Sequence, residues 1–299
     1  MPALQVLRQK LMTTSIAEAI LQGAHDLRKA GVPEARREAG SLLAHVLDRD
    51  RTFILSHADD PISEEHLETF CRTLDWRAAG KPLQYITGHQ DFFGLDFEVT
   101  PDVLIPRPET ELLVEKALEL VSTEAAPIIC DLGTGSGCIA ITLLHELPRA
   151  RGMAIDVSPA AIEVAKRNAS RHSVSERLEF LVSDCFAGLN RKNSLFDLVV
   201  SNPPYVSVRE LENLQREVRD YEPHLALEAG EDGLSIIRRL LVEAGAYLKG
   251  GGHFLFEIGF DQHQAVEQLV DPERWKLLDI YSDLQGIPRT VALEKFRSN

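Results

Sequence analysis

At 299 residues the chain is long for a single hydrophobic core, so two domains are expected. Its hydrophobic content of 44% and charged content of 26% are those of an ordinary globular protein, and no apolar run reaches the roughly eighteen residues of a membrane span. A formal net charge of −14 argues against a protein whose main affinity comes from neutralising nucleic-acid phosphates, although a local basic patch would still permit such a partner.

The N-terminus, Met1-Pro2-Ala3-Leu4-Gln5, has no basic patch followed by an apolar stretch, so no signal peptide is expected. Cys71, Cys130, Cys138 and Cys185 show no C-x-x-C spacing, and three of them fall in or beside predicted strands or a buried helix start. Reduced, packed thiols in a cytoplasmic protein are the expectation. The ten histidines include no H-E-x-x-H, so no metal site is expected.

Residues 1–82 read as helices only. Ser15-Ile16-Ala17-Glu18 is a capping box, and Ile20, Leu21, Ala24 and Leu27 follow at helical spacing before Gly31 and Pro33 stop the helix. A second helix is predicted over 33–47, burying Ala39, Leu42, Leu43 and Val46. A third starts near Ser63, carries Leu67, Phe70, Leu74 and Ala78, and ends at Gly80. Nothing in this bundle looks catalytic, and its His25, His45, His57 and His66 read as surface or packed residues. Residues 1–81 hold 11 basic and 12 acidic side chains, so a charge of −13 falls on the remainder.

Residues 83–107 are rich in aromatic and β-branched side chains broken by Gly88 and Gly94, which predicts a β-hairpin linker. The two prolines of Ile105-Pro106-Arg107-Pro108-Glu109-Thr110-Glu111 end it, and Pro108-Glu109 starts an amphipathic helix through about Val121. From 108 to 299 strands and helices then alternate. Strands are expected near 128–132, 152–156, 178–183, 196–201 and 253–258, which implies an α/β fold with a parallel sheet covered on both faces. Residues 276–281 and 290–294 read as a final antiparallel pair. Together they would complete a Rossmann-like seven-stranded sheet of the kind S-adenosylmethionine-dependent methyltransferases use.

The first of these strands, Ile128-Ile129-Cys130-Asp131-Leu132, opens into Gly133-Thr134-Gly135-Ser136-Gly137 and a helix. Such a turn brings backbone N–H groups to a ligand at a helix N-terminus, and the glycines permit tight turning and close approach. A dinucleotide fingerprint would need its third glycine at 138, where this chain has Cys138; the glycine sits at 137 instead. S-adenosylmethionine fits better, since it has no pyrophosphate and its methionine part can lie over the loop. Asp156, ending the second strand, can accept both ribose hydroxyls. Asp184 and Cys185, ending the third, fall where the adenine edge would lie, with Asp184 able to accept from the N6 amine. Either Cys185 or Phe186 can cover the ring face, and core packing is an equal reading of Phe186. Asp131 can orient the cofactor's ammonium, directly or through water.

At the carboxyl end of the fourth strand stands Asn202-Pro203-Pro204-Tyr205, facing the crevice where open α/β sheets bind ligands. Neither proline has an N–H, so nearby carbonyls lack a competing local donor. The Asn202 side-chain oxygen and the Pro203 carbonyl can each accept one hydrogen of an NH2 group, and Tyr205 can stack on the planar group that carries it. Alone, this tetrapeptide could be a turn after a strand. Its order and spacing behind the glycine loop instead describe a methyltransferase acting on a planar amino group.

The chain resembles the HemK/PrmC family, protein-(glutamine-N5) methyltransferases that modify class 1 peptide-chain release factors. The resemblance covers nearly the whole length and rests on four motifs: Pro82-Leu83-Gln84-Tyr85-Ile86-x-Gly88, Val103-Leu104-Ile105-Pro106-Arg107-Pro108-Glu109-Thr110-Glu111, Asp131-Leu132-Gly133-Thr134-Gly135-Ser136-Gly137 and Ser201-Asn202-Pro203-Pro204-Tyr205. The last is shared with adenine and guanine amino-methyltransferases; the Ile-Pro-Arg-Pro-Glu-Thr-Glu string is much narrower. The resemblance implies a glutamine in a Gly-Gly-Gln loop as substrate; because such a loop offers few side chains and 1–82 carries no plausible catalytic group, 1–82 is expected to be a recognition domain. It carries S-adenosylmethionine binding onto Gly133, Thr134, Gly135, Ser136, Gly137, Asp156, Asp184, Cys185 and Asn202. Glutamine binding falls on Asn202, Pro203, Pro204 and Tyr205, with Asn202 and Pro203 at the reacting nitrogen. Some relatives have an aromatic residue at the position of Cys185.

The alternative is an amino-methyltransferase acting on adenine or guanine in DNA or RNA. That would want a basic face and usually a target-recognition region, and neither part of this acidic chain looks like a phosphate-binding module. Stable nucleic-acid binding and membrane association are therefore not expected.

Overall fold

The structure is a computed structural model describing residues 14–121, 126–190 and 195–297. Residues 1–13, whose sequence reads as lacking a signal peptide, lie outside the described residues. The chain forms two compact units: one contains the residues up to Gly88 together with Arg216–Tyr221, the other His89–Gln215 and everything from Glu222 onward.

The first unit is helical. Its elements are α1 (Ile16–Lys29), α2 (Ala35–Leu47), α3 (Arg51–Ser56), α4 (Glu64–Ala78) and α5 (Leu83–Thr87), joined by the short helix Arg216–Tyr221. The predicted capping box is present: the Ser15 side chain accepts from the Glu18 N–H, and the Glu18 carboxylate accepts from the Ser15 N–H. The buried face of α1 is Ile16, Ala19, Gly23, Ala24 and Leu27, so Leu21 turns outward at 57% exposure. Gly23 explains the rotation. A Cβ there would stand 2.9 Å from the Phe70 ring, so glycine lets α1 and α4 approach closely. Arg77, buried on α4, is paired with Glu38 of α2 and, through Nη2 at 2.9 Å, with Glu217 of the returning segment. The expected start of the hairpin, Leu83–Thr87, is helical instead. Pro82 precedes it, Tyr85 and Ile86 are buried, and Gly88 closes it in the left-handed region (φ 82°).

The second unit begins with the hairpin β1 (His89–Phe92) and β2 (Leu95–Glu98). Phe93 and Gly94 both have positive φ, the turn geometry that suits strand twist. A 3-10 turn over Pro108–Thr110 leads into α6 (Glu111–Leu120), in place of one continuous helix from 108. β3 (Ile128–Leu132), α7 (Cys138–Glu146), β4 (Arg151–Asp156), α8 (Pro159–Arg171), β5 (Leu178–Val182), β6 (Phe196–Ser201), α9 (Ser235–Glu243), β7 (Leu248–Glu257), α10 (His263–Leu269), β8 (Trp275–Ser282) and β9 (Pro288–Lys295) follow.

The seven strands lie in the order β5-β4-β3-β6-β7-β9-β8. The first five are parallel, and β9 is antiparallel to both β7 and β8. Along β6, Leu198 and Val200 face α6–α8 and the hairpin's Phe92 and Phe97, while Val199 faces the layer holding Ile237, Leu240 and Val266. Between β3 and β6 the strand order reverses, and a crevice opens at the carboxyl ends of the parallel strands. Among the described residues, no helix is long and apolar enough to cross a membrane.

Candidate active site

A cavity of about 410 Å³ occupies that crevice. Its wall takes residues from the ends of β3, β4 and β6, the segment 102–110, the turn 183–185 and the loop 223–228.

The glycine loop forms one side. The N–H groups of Gly133 and Thr134 both donate to the Ile155 carbonyl, at 2.8 and 3.0 Å, which ties the loop to β4. Gly133 and Gly135 have φ of 69° and 54°, and a Cβ on either would meet no atom within 4 Å. Their value is conformational, and they leave the cavity side open. Gly137 does different work: it caps α7 at φ 83°, and a Cβ there would lie 2.7 Å from Ile141 Cδ1, so it packs the helix start rather than lining the cavity. Ser136 is held from behind, its carbonyl accepting from Nδ2 of the fully buried Asn168 at 2.9 Å.

Asp131 is sealed beneath this loop. Its Oδ2 accepts from Thr134 Oγ1 at 2.6 Å and from the Ala140 N–H at 3.3 Å, while the buried Oδ1 has no partner among the described residues. Burial pushes its carboxyl up to about 7, against the smaller opposing pull of those hydrogen bonds. Asp156 closes β4, its two oxygens accepting from the Gly135 and Ser158 N–H groups, each at 2.9 Å. Burial raises its pKa too.

Beyond β5, Cys185 lines the cavity in a left-handed conformation (φ 49°), and burial raises its thiol to about 11. Phe186 does not line it. Its ring is 1% exposed and stacks on Tyr247 at 4.4 Å, so core packing is its place. Asp184 stands at the rim with Oδ1 taken by Arg239 Nη1 at 2.6 Å, and that hydrogen bond lowers its pKa.

Asn202, Pro203 and Pro204 line the cavity beside the glycine loop, since Ser201 pairs with Leu132 on the adjacent strand; Tyr205 does not line it. The Tyr205 hydroxyl donates to Glu257 Oε1 at 3.2 Å, and its carbonyl accepts from Gln262 Nε2 at 2.9 Å. Asn202 Nδ2 donates to Thr110 Oγ1 at 3.1 Å, and Thr110 Oγ1 donates to Glu257 Oε2 at 2.6 Å. Thr110 and Glu257 are 2% and 1% exposed. Arg107, on the cavity wall, pairs with the buried Glu222, which also accepts from the Ile105 N–H.

Arg107, Thr110, Glu222 and Glu257 are absent from the site residues expected from the sequence. Glu257 leaves a trace, a carboxylate ending the apolar run Phe254-Leu255-Phe256 at the carboxyl end of a parallel strand. Glu222 leaves none.

The site suits S-adenosylmethionine on two structural grounds. Asp131 stands directly behind the wall, bonded to the cavity-lining Thr134 and with one carboxyl oxygen unpartnered among the described residues, and the open faces of Gly133 and Gly135 leave room for a ligand against the backbone.

Residues 18–88 match the PrmC N-terminal domain family, and residues 108–226 match the methyltransferase small domain family. The release factor glutamine methyltransferase of Koribacter versatilis is 41% identical over 281 residues, covering 94% of this chain and 99% of that one. That of Cereibacter sphaeroides is 44% identical, covering 92% and 97%. Among solved structures, a methyltransferase from Pyrococcus furiosus superposes with a TM-score of 0.50 at 18% identity, covering 69% of this chain and 91% of that one. The catalytic domain of hMettl16 does so with a TM-score of 0.52 at 16% identity, covering 76% and 82%. These two likenesses establish the fold. Both relatives match more than nine tenths of this chain and nearly all of their own length, and the chain belongs to the release factor glutamine methyltransferase family.

Proposed function

We propose that this protein transfers a methyl group from S-adenosylmethionine to the side-chain amide nitrogen of a glutamine in a class 1 peptide-chain release factor, within its Gly-Gly-Gln loop. The products are N5-methylglutamine and S-adenosylhomocysteine. The observation that carries the reading is Asn202, which lines the same cavity as the glycine loop, at the end of the neighbouring strand, with its amide nitrogen engaged by Thr110.

S-adenosylmethionine supplies a methyl group on an electrophilic sulfonium. Gly133, Thr134, Gly135, Ser136 and Asp156 would hold it, with Cys185 against the adenine, Asp131 balancing the ammonium and Gly137 acting only through the loop's shape. Asp184 would meet the adenine amine through the carboxylate it shares with Arg239. On the substrate side, Asn202 Oδ1 and the Pro203 carbonyl each accept one amide hydrogen. An amide nitrogen has its lone pair delocalised, and no side chain removes its proton at neutral pH. Two acceptors instead stabilise the positive charge that grows as the methyl arrives, about 3–4 kcal/mol per group in comparable cases. Orienting the nitrogen adds up to about 7–11 kcal/mol. Proton loss follows transfer, so no general base is needed beforehand. Pro204 shapes the wall, and Tyr205 supports it from behind through Glu257.

The reaction belongs in the cytoplasm, where release factors work. The helical unit is assigned recognition of the body of the release factor, because a Gly-Gly-Gln loop offers few side chains.

Intact-mass measurement of a release factor incubated with enzyme and cofactor should show one added methyl group, located on the loop glutamine. Asn202→Ala should lower turnover by about 10²–10³ with cofactor affinity within a few-fold. Near-normal turnover would remove Asn202 from the mechanism.

A further inference from the structure

The carboxamide of Asn202 can present either its oxygen or its NH2 to the cavity, and only one of these serves the reaction. Turned the other way, Nδ2 would point two hydrogens at a substrate nitrogen that itself carries two, and no methyl acceptor would be held. The Asn-Pro-Pro-Tyr segment contains nothing that makes the choice, and Asn202 is half-buried with room on the cavity side.

We propose that Thr110 and Glu257 are positioning residues for methyl transfer, a two-member relay that fixes Asn202 with its oxygen toward the substrate amide. The inference rests on the proposed function, in which Asn202 accepts from that amide. A carboxylate only accepts hydrogen bonds, so Glu257 Oε2 obliges the Thr110 hydroxyl to donate to it, at 2.6 Å. A hydroxyl has one hydrogen. Having given it to Glu257, Thr110 Oγ1 has only lone pairs for its other neighbour, and it can be met at 3.1 Å only by Nδ2 of Asn202. The flipped amide would set Oδ1 against those lone pairs. Glu257 is held in turn by the Tyr205 hydroxyl at Oε1, so both of its oxygens are engaged and the carboxylate cannot rotate away.

The elements make the relay rigid. Thr110 ends the 3-10 turn at the start of α6, and Glu257 is the last residue of β7, the neighbour of the strand from which Asn202 emerges. Both side chains are essentially inaccessible to solvent, so no water competes for the hydroxyl. A neutral hydroxyl accepting from an amide is a modest interaction, but the alternative orientation pairs two acceptors in a dry site and is strongly disfavoured.

The decisive experiment is a double-mutant cycle on the full chain, with Thr110→Val, Thr110→Ser, Asn202→Ala and Thr110→Val/Asn202→Ala. Methyl transfer to a release factor, S-adenosylmethionine affinity by titration calorimetry and the thermal midpoint are measured for each. Thr110→Val should cut kcat by about 10²-fold, with cofactor affinity within a few-fold. Thr110→Ser, which keeps the hydroxyl, should restore most of the turnover. In the Asn202→Ala background Thr110→Val should add nothing, because a relay that acts through Asn202 has nothing left to orient. Should Thr110→Val fail to fold, Thr110→Ala carries the same comparison. The relay is overturned if Thr110→Val turns over like wild type while Asn202→Ala is crippled, or if the two losses multiply. A fully active Asn202→Ala enzyme would instead remove Asn202 from the mechanism, and the relay with it, whereas absence of methyl transfer to the release factor by the wild-type enzyme would overturn the functional reading.

Discussion

Asp131 is fully buried beneath the glycine loop, and that burial decides its charge. Its folded-state pKa stands at about 7 against an ordinary 3.8, because burial disfavours the charged form. The fold therefore holds more protons than the unfolded chain between those values, and the stability this group contributes is full below 3.8 and is lost as pH rises to about 7. Asp131→Asn cannot ionise. In the ligand-free enzyme its thermal midpoint should decline less than that of wild type as pH is raised across this window. Above about pH 7, where the wild-type carboxyl is ionised, it should also bind S-adenosylmethionine more weakly. Parallel midpoint curves for the two proteins would show that Asp131 does not titrate there.

At the scale of elements, the Asn-Pro-Pro-Tyr wall is braced by a turn that is distant in sequence. Gln262, before α10, donates from Nε2 to the carbonyls of both Tyr205 and Gly233. Gly233 has φ 72°, and a Cβ there would fall 2.4 Å from the Tyr205 oxygen and 2.7 Å from Gln262 Nε2. Backbone strain and backbone collision coincide at one position. Gly233→Ala should destabilise the protein by about 1–3 kcal/mol and lower turnover by displacing the substrate wall, with cofactor affinity largely kept. Denaturant unfolding and methyl-transfer assays check this, and an unchanged unfolding midpoint would mean that the brace yields at no cost.

Across the whole molecule, charge and apolar surface divide the work. Nearly all of the net charge of −14 lies beyond the helical residues, whereas those residues expose large apolar side chains, among them Leu21, Leu55 and Trp76. Under the proposed function, a basic segment of the release factor would be drawn to this acidic unit, which should speed its encounter. Added salt should then lower kcat/KM on intact release factor through screening. Trp76→Ala, a half-exposed residue carrying Lys81 over its ring at 5.1 Å, should lower kcat/KM on the intact protein but not on a short glutamine peptide. Equal losses on both substrates would take recognition away from the helical surface.

Much of this was legible in the residues themselves. Short apolar runs between helical segments located the parallel strands to within a residue or two, apart from the early start of β7 at Leu248, and the capping box at Ser15 marked the start of α1. The glycine loop and Asn202-Pro203-Pro204 could be assigned to one cavity because each belongs to a single strand end, and all parallel strands present their carboxyl ends to the same side. Local signals misled where a few residues outweighed composition. Pro82 and Gly88 enclose a helix in a β-rich stretch, Gly23 rotates α1, and Phe186 stacks in the core beside a cavity-lining Cys185. Only the tertiary structure could supply the partners of the site. Thr110 lies 92 residues from Asn202 and 147 from Glu257, and nothing in their own neighbourhoods signals the other two. They meet because β7 pairs beside β6 while the 3-10 turn before α6 crosses the strand ends. Backbone propensity and hydrophobic periodicity are properties of short segments, but a hydrogen-bond relay depends on the order of strands in the sheet.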